Sequence, residues 1–102
     1  MTDEQIIGCV KEIIMYGLPM NTKVDVSGVS LGHALRVNIR LHSMPSEINL
    51  GPLLLQISPP EYQDKYPAFS RQFLNELIDK KQAELTGNFE DMRPITIYFT
   101  VE

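Results

Sequence analysis

Four polar side chains stand two residues apart in one stretch of this chain: Arg36, Asn38, Arg40 and His42. That spacing puts all four on one face of an extended strand. Two guanidinium groups on such a face can grip carboxylates or phosphates through paired hydrogen bonds. Lys23, on an earlier extended segment, is expected to join them from a partner strand. Further along, Thr96, Tyr98 and Thr100 repeat the spacing without any charge. These eight residues form the candidate partner-binding set. The competing reading is an ordinary solvated sheet face, where charged side chains discourage edge-to-edge aggregation.

A second pattern is Gly28-Val29-Ser30-Leu31-Gly32, a G-x-S-x-G sequence after a short β-prone segment. From Val24 to Leu35, about a dozen residues, the chain resembles the nucleophile elbow of lipase-like α/β-hydrolases. The resemblance implies Ser30 as nucleophile on a strained strand-to-helix turn, with an acid and then a histidine later in the chain. The residues after Gly32 alternate like a strand rather than a helix, however. The two histidines, His33 and His42, follow Ser30 with no Asp or Glu between them, so that order is not available. Two glycines around a serine also suit a hairpin loop, where they supply positive φ.

Other reactive groups are sparse. Cys9 is the one cysteine, on a helical segment beside an apolar stripe, where a lone thiol acts as a small hydrophobe. Cys9, His33 and His42 share neither a helix face nor a C-x-x-C spacing, so neither a metal nor a cofactor is expected. No phosphate-cradling glycine pattern occurs. The net charge of −4 argues against a general nucleic-acid binder, which needs many cations. A single cysteine permits no internal disulfide. The opening Met-Thr-Asp-Glu lacks the basic-then-apolar pattern of a signal peptide, and no apolar run approaches a bilayer span. A cytoplasmic, non-membrane protein is the default expectation.

The elements that must hold these residues read as follows. Thr2 to Tyr16 is a helix, opened by a Thr2/Gln5 capping box and closed by Gly17 and Pro19. Lys23 to Ser27 is a short strand with Val24 and Val26 on one face, and Gly28 to Gly32 a connection. Leu35 to His42 alternates without an error, so it is a strand with one buried and one wet face, hairpinned to the first. Leu53 to Ile57 is a third strand or a buried extended segment. Ser58, Pro59 and Glu61 predict a short helix or turn at 59–65, and a longer helix is predicted from about Pro67 to Leu85 with Gly87 as its stop. Tyr62, Tyr66, Phe69 and Phe73, near Pro59, Pro60 and Pro67, read as core more readily than as a partner-binding ledge. Ile95 to Val101 is the last strand. Its uncharged, β-prone run must lie inside the sheet or under a partner.

Residues 1–102, with 43% hydrophobic and 22% charged residues, fit one globular domain. The expected fold is a small α+β two-layer sandwich. Its three- or four-stranded, mostly antiparallel sheet carries two helices on one face, in the order α-β-β-(β)-α-β. The expected function is a non-enzymatic protein-interaction domain (an inhibitor, adaptor or chaperone-like factor). It would bind a protein partner through the exposed sheet face, and a homodimer through the last strand or its face is a further expectation. The alternatives are a small serine hydrolase using Ser30, or a nucleic-acid contact through Lys23, Arg36 and Arg40.

Overall fold

A computed structural model of the chain describes residues 2–57, 66–89 and 93–102. Helix α1 (Asp3–Tyr16) starts as its sequence demands. The Thr2 hydroxyl accepts the Gln5 amide hydrogen at 3.2 Å, and the Gln5 side-chain oxygen accepts that of Thr2 at 2.8 Å. Asp3 and Glu4 in the first turn complement the helix dipole. The stripe Ile6, Val10, Ile14 is buried, and Gly17 caps the end.

Strands β1 (Val24–Leu31) and β2 (Ala34–Leu41) form an antiparallel hairpin with Leu31 opposite Ala34. The turn is therefore the two residues Gly32 and His33. Gly32 takes φ +65, which glycine adopts without strain. The connection expected from Gly28 to Gly32 is thus mostly strand, and β1 runs four residues further than Ser27. The pairing register with β2 runs unbroken to Leu31 although the apolar alternation ends at Gly28, which leaves Val29 and Leu31 exposed.

Leu53 to Ile57 is not a strand but part of helix α2 (Gly51–Ile57). Pro52 sits in the first turn, where a missing amide hydrogen is tolerated. Leu53, Leu54 and Ile57 are buried at helical spacing. The entry is fixed by Asn49, whose side-chain oxygen accepts the Gly51 amide, and by buried Ser70, whose Oγ accepts the Leu50 amide at 3.0 Å.

Helix α3 (Tyr66–Lys80) ends five residues before the expected Leu85. Lys81 turns out of it at φ 60, after its amide closes the last turn onto the Leu77 carbonyl. The chain then enters strand β3 (Gln82–Phe89), so Gly87 lies within a strand and is no helix stop. Strand β4 (Arg93–Val101) follows. The short helix or turn expected at 59–65, with its Ser58/Glu61 cap, and Tyr62 lie outside the described residues.

The sheet order is β1-β2-β4-β3. β1/β2 and β3/β4 are antiparallel, and the central β2/β4 pair is parallel, with Leu35 opposite Ile95 and Leu41 opposite Val101. β4 is hydrogen-bonded on both sides, which satisfies its uncharged run. A homodimer through the edge of this strand is therefore closed off. Leu35, Val37, Ile39 and Leu41 of β2 and Ile95, Ile97 and Phe99 of β4 point to one side and are buried. α1, α2 and α3 pack on that side, with Phe73 edge-on to Phe99 at 4.9 Å. Each such side chain contributes roughly 1.5–3 kcal/mol of burial. Phe73 belongs to the core as expected, whereas Phe69 is exposed at 39%. The result is an α+β domain with three helices on one face of a four-stranded mixed sheet. Among the described residues no helix is long and apolar enough to cross a membrane.

Candidate functional site

The face turned away from the helices collects polar residues of all four strands, with Val29 and Leu31 of β1 as apolar exceptions. Register places Asp25 beside Arg40, which is beside Thr100, which is beside Gln82. The next row is Ser27, Asn38, Tyr98 and Glu84, and the one after is Val29, Arg36, Thr96 and Thr86. His42 follows β2, and its amide donates to the carbonyl of Lys23 at 3.1 Å, so Lys23 holds the register position opposite His42. All eight candidate residues thus come together along the β1, β2 and β4 part of one sheet.

Two acids that the sequence reading did not pick out, Asp25 and Glu102, change the electrostatics. Asp25 Oδ2 accepts from Arg40 Nη2 at 2.6 Å and lies 2.8 Å from His42 Nε2. Glu102 lies 3.5 Å from Arg40 Nε and 3.9 Å from His42 Nδ1. The expected basic stripe is therefore neutralised at its Arg40/His42 end. The hydrogen bond from Arg40, then that from His42, holds the Asp25 carboxyl below its usual range. The bond to Asp25 and the charge of Glu102 raise the Arg40 guanidinium. All of these groups are solvent-exposed, so the network orients side chains more than it stabilises the fold. Asp25 was legible in principle, since it alternates with Val24 and Val26.

Arg36 is held differently. Its Nε donates to Asn38 Oδ1 at 3.0 Å, and the guanidinium lies 4.9 Å from the centre of the Tyr98 ring, a cation–π arrangement. The Tyr98 hydroxyl is in turn fixed by donating to Gln82 Oε1 at 2.6 Å. Among the described residues no carboxylate pairs with Arg36. Arg36 lines a depression of about 330 Å³ together with Asp25, Ser27, Asn38, Arg40, Tyr98 and Thr100. A planar, pre-oriented cation at a depression that Ser27 and Thr100 also line is suited to receive an oxyanion or a hydroxyl-bearing group.

The remaining candidates fall elsewhere. Ser30 lies inside β1 opposite Leu35, on the helix side of the sheet, whereas Asp25 and His42 are on the other side. The chain continues from Ser30 into a two-residue turn and another strand, not into the helix that a nucleophile elbow requires. Cys9 is half-buried on α1 against the core. His33 occupies the hairpin turn, where its carbonyl accepts from Arg93 Nε at 3.1 Å. Among the described residues no three His, Cys, Asp or Glu side chains group so as to hold a metal ion. No protein-family model, curated protein or solved structure matches the chain.

Proposed function

We propose that the chain is a non-catalytic protein-interaction domain that docks a protein partner on the open face of its sheet, with Arg36 as the anchoring cation. The observation that supports this reading is the one-sided packing. Three helices share one face, while the other presents a depression lined by the Arg36 guanidinium, with which no acid pairs among the described residues. Arginine and tyrosine are both frequent anchors in protein interfaces; tyrosine brings rigid contact area, and an arginine already stacked on it has given up part of its rotamer freedom before binding. The charge-paired Asp25–Arg40–His42–Glu102 end and the uncharged Thr96–Tyr98–Thr100 strip then form a polar surround. The expected partner offers a carboxylate to Arg36 and a polar surface to the rest.

The test compares three immobilised proteins against a native lysate at low salt: the natural chain, Arg36→Glu, and Lys11→Glu on the exposed side of α1. A partner retained by the natural chain and by Lys11→Glu but lost with Arg36→Glu supports the reading. Equal retention by Arg36→Glu, or retention of nothing by the natural chain, overturns it. Far-UV circular dichroism establishes that Arg36→Glu is folded.

A further inference from the structure

β1 is an edge strand, and the direction of its unpaired backbone groups follows from the register. The two-residue turn requires Leu31 and Ala34 to form a hydrogen-bonded pair, and the His42 amide bonds the Lys23 carbonyl. Alternation then assigns Lys23, Asp25, Ser27, Val29 and Leu31 to the β2 side. The amide and carbonyl of Val24, Val26, Gly28 and Ser30 point outward, and among the described residues no backbone group bonds them. Natural edges are guarded by lysine, proline, bulges or shortness. This one has none of those: its eight residues contain neither Lys nor Pro, and its register is unbroken. Its single charge, Asp25, is occupied by Arg40 and His42. Val29 and Leu31 flank it with their side chains 50% and 58% exposed.

We infer that this edge pairs with the β1 edge of a second copy of the chain, joining two four-stranded sheets into one. The four outward residues are self-complementary about a two-fold axis through Ser27. Val24 then faces the partner's Ser30, and Val26 faces the partner's Gly28. All four outward residues of each copy are used, and side-chain faces match across the junction. Charge allows this register: Asp25 meets the partner's Val29, so no like charges oppose one another. The other edge, β3, is a poorer template, because Gly87 and Asn88 lack β-propensity and it carries the exposed acid Glu84. This interface is made by the backbone edge of β1, whose central residue Ser27 also lines the depression, and doubling the sheet leaves the open face accessible on both copies.

The experiment measures the solution mass of the full chain by size-exclusion chromatography with light scattering over a concentration series. The expected mass is twice the 11.6 kDa chain. Ser27→Lys puts two ammonium groups opposite each other at the axis. Ser30→Pro removes an outward amide hydrogen while leaving the β1/β2 ladder intact. Each is expected to weaken the dimer by about tenfold or more. Ser27→Cys, in a Cys9→Ala background, forms a non-hydrogen-bonded pair with its copy at a spacing a disulfide can bridge, so mild oxidation gives a covalent dimer. A mass of one chain at all concentrations overturns the proposal. A dimer indifferent to both Ser27→Lys and Ser30→Pro, with no Ser27→Cys cross-link, also overturns it.

Discussion

Gly87→Ala separates the fold described here from a reading in which position 87 merely ends a helix. In a strand, alanine is favoured over glycine by roughly 0.5–1 kcal/mol, because it has less backbone freedom to lose. Nothing in the backbone denies that gain, since Gly87 does not occupy the left-handed region. The space does. A Cβ built on Gly87 would lie 3.0 Å from the Ile57 Cβ and 3.2 Å from its carbonyl carbon, with the carbonyl oxygen closer still. Carbon contacts are comfortable near 3.5–4.0 Å, so the end of α2 must retreat by about half an ångström or more. Ile57 is buried at 3% exposure and seated beside Leu53 and Leu54, so retreat opens the core. Overpacking of this kind costs about 1–3 kcal/mol. The net expectation is a loss of about 1–2 kcal/mol, or a Tm lower by roughly 4–15 °C for a domain this size. Thermal unfolding followed by circular dichroism reads it directly, with Thr86→Ala as the exposed neighbour, expected within about 0.5 kcal/mol of the natural chain. A Tm for Gly87→Ala equal to or above that of the natural chain would refute the packing of α2 on β3.

Three other outcomes follow from the geometry. Phe73→Ala removes the ring edge-on to Phe99 and should cost about 3–5 kcal/mol in urea unfolding, whereas Phe73→Leu keeps most of the volume and costs clearly less. The Asp25 carboxyl is lowered in the folded state by the Arg40 and then the His42 hydrogen bond. Its contribution is therefore present above the unfolded value and lost as pH falls below about 4 through the folded one. Carboxyl NMR should show its midpoint rise with Arg40→Gln, and Asp25→Asn should flatten the acid limb of the stability profile. Gly32→Ala forces an L-residue into φ +65 and should cost about 1 kcal/mol, with Gly32→Asn milder, both read from urea midpoints.

What could be read from the residues was whatever a local period or cap encodes. The unbroken alternation from Leu35 to His42 located β2 and its faces, Thr2 with Gln5 located the start of α1, and the charge-free run after Pro94 belonged inside the sheet. Three features escaped because their signals are shared between structures. Leu53 to Ile57 is too short to distinguish strand from helix by period, and its burial against α1 and α3 decided it. Leu85 sits eight residues after Leu77, so helical spacing carried straight through β3. Only Ala83, Leu85 and Phe89 taken at period two reveal the strand, and the break itself is a lysine in the left-handed region rather than a glycine. At the site, the arginines were visible but their neutralisation was not, because Asp25 and Glu102 reach Arg40 only through strand register and neither lies near it in sequence.

The central position of β4 has a kinetic consequence. β4 follows every other described element in the chain, yet it alone connects the β1/β2 hairpin to β3. The Arg93 hydrogen bond to His33 spans 60 residues. Pairings of such separation must bear their loop-closure entropy before any reward arrives, so the chain should fold slowly for its size despite three helices. Until β4 inserts, β2 and β3 each hold an apolar face with one side unsealed. A nascent chain is thus most prone to mispair in the interval between completing its hairpin and receiving residues 93–101, when assistance from a holding chaperone would matter most.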